Sequence, residues 1–358
     1  MTAAASTLTA MLRQPEAAAD LTGREWDRLI RQARKAAMLS RLYLTLEDHK
    51  LLDHVPGRPL AHLASNRLFA DRLAIDVAWE VAQIKTALAA LDLPIVLLKG
   101  AAYTMARLPP AAGRIFFDVD ILVPKASLEA VERQLSLKGW SSGPISAYDS
   151  RYYRTWMHEL PPLRHYKRKT YLDVHHTILP ETAPYHPDPQ KLLDAARPVT
   201  GRDGLFILAP ADMVIHAATH LFHEGEFDKG LRDLSDLDAL LSHFGTDVRF
   251  WDSLVPRAIE LELSRPLFYA LRYARAVLDT AIPDDVIDAS RAGAPARPLS
   301  MLMDALFDRG LRPNHPTCDD GFSGFARWLL YVRAHALRMP PRLLLPHLAR
   351  KAYMGHFG

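Results

Sequence analysis

Between residues 21 and 91 apolar side chains recur at helical spacing, with Trp26, Leu29, Ile30, Ala33 and Ala37 among them, which predicts amphipathic helices. Val55-Pro56-Gly57 breaks the pattern, and a second long helix is expected over 60–91, closed by Asp92 and Pro94. The texture then changes. Pro94-Ile95-Val96-Leu97-Leu98 is a short aliphatic run ending in Lys99-Gly100, the pattern of a buried strand that turns into a helix, here expected over 101–108. A second strand is predicted over 115–123, stopped by Pro124, and a further helix over 127–139. Strands over 164–168 and 171–178 follow, joined by a hairpin turn at Lys169-Thr170. Beyond a Pro-rich stretch at 180–189 and a brief strand at 205–208, nearly everything reads as helix.

The order of elements predicts an α+β fold in which a small mixed sheet lies between helical regions. With 358 residues and 49% hydrophobic composition, the chain is long enough for more than one core, since single cores rarely grow beyond roughly 250–300 residues. The expected division is a helical lead-in over 1–92, a sheet-bearing core over 93–208 and a helical domain over 209–358. Forty-four basic against forty-one acidic residues leave a formal charge of +3, too balanced for dense, sequence-independent nucleic-acid binding. The single cysteine, Cys318, excludes an intramolecular disulfide framework and a thiolate zinc cluster. No signal peptide and no run of about 18 apolar residues is evident, so a cytoplasmic protein without a membrane span is expected.

The sharpest chemical signal lies in the second predicted strand. Alternation puts Asp118 and Asp120 on one face, with Phe117, Val119 and Ile121 on the other. Two adjacent carboxylates on an otherwise apolar strand are unfavourable unless a cation, a proton or a basic side chain compensates them. A divalent metal answers that need, and Mg²⁺, or Mn²⁺ in its place, often takes only one or two carboxylates while phosphate and water fill its remaining positions. A two-metal centre needs a third acid. Asp173, between Leu172 and Val174 on the later strand, is the best candidate, and His175 shares its face as a candidate substrate contact.

His216, His220 and His223 fall at i, i+4 and i+7 on a predicted helix, a spacing that supports a rival, metal-dependent hydrolase reading with His175, His176, Asp233 or Asp236 in attendance. Asp233 and Asp236 are more simply partners of Arg232 and Lys229, or a helix surface. Arg327, Arg333, Arg338, Arg342, Arg350 and Lys351 punctuate the C-terminal part, where a solvated helix face is the simpler account than an RNA- or lipid-facing patch.

Three segments in order, Leu98-Lys99-Gly100-Ala101, Arg114 with Asp118-Val119-Asp120, and Leu172-Asp173-Val174-His175, resemble the DNA polymerase beta-like nucleotidyltransferase superfamily. Its branch of uncharacterised nucleotidyltransferases is the most similar. The resemblance spans roughly residues 60–245 and includes Ala209-Pro210-Ala211-Asp212 and Leu231-Arg232-Asp233-Leu234-Ser235-Asp236. It implies a metal held by Asp118 and Asp120, an acceptor hydroxyl activated with the help of Asp173, and a nucleoside triphosphate such as ATP lying at the helix after Gly100. A nucleoside monophosphate would pass to a hydroxyl on a small molecule, protein or RNA, with release of pyrophosphate. The wider superfamily has Gly-Ser or Gly-Gly at the turn where this chain has Gly100-Ala101. Lys99 and Arg114 are the candidates to supply the lost phosphate contact. A catalytically silent nucleotide- or partner-binding module of the same fold is the alternative that Ala101 supports.

Overall fold

The computed structural model describes residues 6–143, 157–225 and 227–338. The lead-in folds into α1 (Thr7–Arg13), α2 (Gly23–Lys35), α3 (Leu39–Asp48) and α4 (Gly57–Leu88). At the start of α2, Thr22 accepts from the Glu25 N–H while the Glu25 carboxylate takes the Thr22 N–H, so two otherwise unmet donors are satisfied together. The 32 residues of α4 serve two cores. Leu63 joins a cluster built from α1–α3, whereas Val77, Val81, Ile84 and Leu88 pack under the sheet.

Among the described residues the strands form one seven-stranded sheet in the order β3-β4-β5-β2-β1-β7-β6. They are β1 (Ile95–Leu97), β2 (Asp118–Leu122), β3 (Trp140–Ser141), β4 (Leu163–His165), β5 (Tyr171–His175), β6 (Arg197–Pro198) and β7 (Leu205–Ile207). The pairs β2–β5 and β1–β7 are parallel, and β1–β2 is antiparallel. With α5 (Lys99–Met105), α6 (Leu128–Leu137) and α7 (Pro189–Ala195) beside the sheet, the architecture is α+β with helical flanks.

The helical remainder comprises α8 (Pro210–Thr219), α9 (Gly230–Phe244), α10 (Val248–Glu260), α11 (Ser264–Leu278), α12 (Asp284–Ser290), α13 (Arg297–Gly310) and α14 (Ser323–Arg338). One continuous apolar cluster runs from the end of α4 through the sheet into these helices. Among the described residues no helix is long and apolar enough to cross a membrane.

Several expected boundaries move. The second strand starts at Asp118 rather than residue 115, because Arg114 is drawn into ion pairs and Phe116 packs on Gly100 instead of joining the ladder. Helix α5 starts at Lys99, since the Leu98 carbonyl already accepts from Ala102. It ends early because Leu108 N–H returns to Tyr103 across Arg107, whose φ of 54° is left-handed. The turn between β4 and β5 is longer than two residues: His165 Nδ1 accepts from the N–H groups of Lys167 and Arg168, while Arg168 reaches away to Glu80. The two-residue strands β3 and β6 carry no sequence pattern of their own. In α14, Arg327 pairs with Asp319 and Arg333 donates to the Phe222 carbonyl. Arg342, Arg350 and Lys351 lie outside the described residues.

Candidate active site

Parallel pairing of β2 with β5 sets Asp118 beside Tyr171 and Asp120 beside Asp173. Because side chains alternate along a strand, the three acids rise on one face of the sheet. Ligand oxygens of Asp118, Asp120 and Asp173 all lie within 4.8 Å of one another. Asp120 is 4% exposed, so two of its neighbours decide whether its charge is tolerable.

Those neighbours are cationic or can become so. Lys99 Nζ donates to Asp120 Oδ1 at 3.1 Å, and His175 Nε2 lies 3.1 Å from the same oxygen. Burial pushes the Asp120 carboxyl up, but the charge of Lys99 and the hydrogen bond of His175 outweigh it and hold the group below the usual carboxylate range. His175 Nδ1 faces Glu159 Oε2 at 3.4 Å. Its buried imidazole sits between two carboxylates and is pushed up, since their attraction exceeds the cost of burial.

Asp173 receives less help, the attraction of His175 being outweighed. Its Oδ1 is buried without a hydrogen-bond partner, and burial together with the charge of Asp120 pushes the carboxyl up to about 7. Arg168, on the turn before β5, is engaged by Glu80 through both carboxylate oxygens of that residue. An unmet carboxylate oxygen next to two further acids is what a divalent cation would complete, and an all-oxygen donor set suits Mg²⁺ or Mn²⁺.

Across the acids stands a basic wall. A cavity of about 480 Å³ is lined by Lys99, Arg114, Asp120, His220, Lys229 and Arg232, among others. The first N–H groups of α5 have no intrahelical acceptor, and Leu98 provides no side-chain cap. Gly100 must be small: a Cβ there would come within 2.8–2.9 Å of the Phe116 ring. Ala101 is 1% exposed, so the residue that departs from the superfamily turn belongs to the core rather than the cavity wall.

Arg114 reaches the cavity yet is anchored behind it. Its guanidinium pairs with Asp236 and lies 3.8 Å from Asp233. Asp236 also receives Arg41 Nη2 at 2.7 Å, and Asp233 receives Arg232 at 2.6 Å. The two acids of α9 are therefore buried anchors and not a helix surface; only the Arg232 pairing agrees with the local reading, and Arg41 had no sequence cue.

The three histidines at helical spacing diverge. A π-turn over His220–Glu224 follows α8, and its wider winding rotates His223 off the line of His216. Among the described residues, the groups able to hold a metal are the three acids and a second set, His158, Glu159 and His175. His220 lines the cavity, whereas His223 is buried against Tyr185, ring centroids 6.0 Å apart. Burial first, and nearby positive charge second, pushes His216 down to about 3 and His223 down to about 4. Glu159, the second partner of His175, meets it through an isolated bridge outside the named strands, with no motif around it, which is why sequence reasoning missed it.

The family described as uncharacterised nucleotidyltransferase matches residues 22–279. The chain belongs to that family. No curated protein and no solved structure matches it. In this nucleotidyltransferase-family chain the match takes in α2–α4, the whole sheet and α8–α11, so both the acids and the Arg114 anchors fall within it.

Proposed function

We propose that this chain is a metal-dependent nucleotidyltransferase that moves a nucleoside monophosphate from a triphosphate to a hydroxyl acceptor and releases pyrophosphate. The observation that carries the reading is the convergence of Asp118, Asp120 and Asp173 with one buried carboxylate oxygen unmet, opposite a cationic wall. The three acids would hold Mg²⁺ or Mn²⁺, which when bound neutralises charge on the transferring phosphoryl group.

The chain's own residues then divide the work. Lys99 and Gly100, which line the cavity, face the triphosphate; Arg114 adds positive charge to the same wall. Asp173, the third acid of the group, accepts the acceptor's proton as the new oxygen–phosphorus bond forms and the bond to pyrophosphate breaks. His175, buried and off the cavity lining, fixes Asp120 from behind. The segment after Pro210 supplies His220, Lys229 and Arg232 to the wall that faces the triphosphate. A silent nucleotide-binding module is the second reading, favoured by the Lys99–Asp120 ion pair, which occupies an acid that a metal would need.

Calorimetric titration of the four ribonucleoside triphosphates, with and without Mg²⁺, on the native chain and on Asp118→Ala/Asp120→Ala tests the site. Metal-dependent binding that the double variant loses, followed by transfer of label from the α-phosphate to an acceptor, is the expected result. Binding without any transfer favours the silent module, and no binding of any triphosphate removes both.

A further inference from the structure

The mouth of the acidic site carries aromatic rings that the chemistry above does not use. Phe117 is 61% exposed, Phe69 46% and Tyr171 44%. Large apolar side chains left in water forgo the gain of burial, so a cluster of them beside a reactive centre points to something that covers it. The Phe69 and Phe117 rings lie 6.4 Å apart at 48°, and the Arg164 guanidinium sits 5.3 Å from the Tyr171 ring centroid. Phe117 and Tyr171 line the same cavity as Asp118 and Asp173.

The sheet order separates Tyr171 from Lys99. Lys99 follows β1, on one side of β2; Tyr171 opens β5, on the other side. The acids lie between them. Tyr171 and Asp173 share a strand face two residues apart, about 6.6 Å along the strand at the usual rise. A molecule with its hydroxyl at Asp173 and a ring on Tyr171 would therefore carry that hydroxyl on a short spacer and not directly on the ring.

We propose that Phe117, Tyr171 and Phe69 form the seat for a planar aromatic ring of the acceptor, whose hydroxyl, borne on a short spacer, meets Asp173. The assignment rests on the transferase reading for the role of Asp173. Stacking on such rings tolerates many ring types, so the seat selects for planarity and spacer length.

The test fills the basic wall with inorganic tripolyphosphate and Mg²⁺ and titrates three probes by ligand-observed NMR: adenosine, 2-phenylethanol and ring-free ribose. The full chain is compared with Phe117→Ala and Tyr171→Ala, with melting curves to show that each variant is folded. The expected result is that both ring probes bind the native chain, bind each variant about tenfold more weakly, and outcompete ribose, while tripolyphosphate binding is unchanged in the variants. Equal ring binding in all three proteins, or none in the native chain, overturns the proposal. So does displacement of 2-phenylethanol from the native chain by saturating ATP and Mg²⁺, since the rings would then hold the base of the triphosphate. Loss of tripolyphosphate binding in the native chain counts against the transferase reading alone, because the ring titrations run without it still decide the seat.

Discussion

Lys99 and His175 meet on a single atom: the Nζ of the first and the Nε2 of the second each lie 3.1 Å from Asp120 Oδ1. They approach from opposite sides, one from the end of β1 and the other from β5. Lys99 therefore competes with any cation for Asp120 while offering positive charge to an incoming polyphosphate. Lys99→Met should leave Mn²⁺ affinity unchanged or tighter and weaken triphosphate binding about tenfold, the scale of one charge-assisted contact. Parallel calorimetric titrations with Mn²⁺ and with ATP check the split; a parallel loss of both would show that Lys99 holds the carboxylates in place.

The raised carboxyl of Asp173 makes proton and metal rivals. Its value in the folded chain, about 7, lies above the ordinary carboxylate value, so the folded state holds a proton that the unfolded state gives up. Without metal, stability is greatest below about pH 4 for this group and declines as pH rises through 7. Divalent affinity runs the other way, increasing from pH 6 to pH 8 with release of a proton. Asp173→Asn should flatten the metal-free melting temperature over that range. Titrations in two buffers of different ionisation enthalpy count the proton.

Gly100 has no room for a methyl group against the Phe116 ring. Gly100→Ala should cost about 1–3 kcal/mol of stability, the usual range for overpacking. It should also displace the Lys99–Gly100 backbone and lower triphosphate affinity. Adding Phe116→Leu, which shortens the obstructing side chain, should restore much of both; chemical denaturation and calorimetry measure them separately.

Asp236 takes both Arg41 and Arg114, two guanidinium groups that burial pushes down to about 10. Asp236→Ala leaves two buried cations with one acid fewer, and removing one member of such a pair costs roughly 3–5 kcal/mol. The double variant Asp236→Ala/Arg114→Met should recover part of that loss, and urea denaturation of the four proteins in the cycle gives the coupling.

What the sequence disclosed and what it concealed divide along local and distant interactions. The order of strands and helices around Lys99, Asp118 and Asp173 was legible because each lies in a short aliphatic run with turn residues at its ends. The facing of Asp118 with Asp120 followed from alternation alone. Asp173 stood out as an acid between Leu172 and Val174, although nothing local showed that its Oδ1 would be left unmet. Contacts that cross the fold left no trace: Arg41 with Asp236 and Glu159 with His175 depend on tertiary placement that no periodicity encodes. The exposed ring of Phe117 was hidden for a related reason. As a strand residue it belonged to the face away from the acids, but β2 begins one position later, and the ring is free to turn into the cavity mouth.

The Arg41–Asp236–Arg114 anchor also bears on the order in which the protein is made. Arg41 and its acid are 195 positions apart, so a growing chain that has already exposed α3, β1, β2 and β5 still has no Asp236 to receive either arginine. Domains tend to fold as units while synthesis proceeds from the N-terminus. Here the three carboxylates are all translated before the residue that steadies Arg114 beside them, and the basic wall reaches its final form only once α9 has left the ribosome.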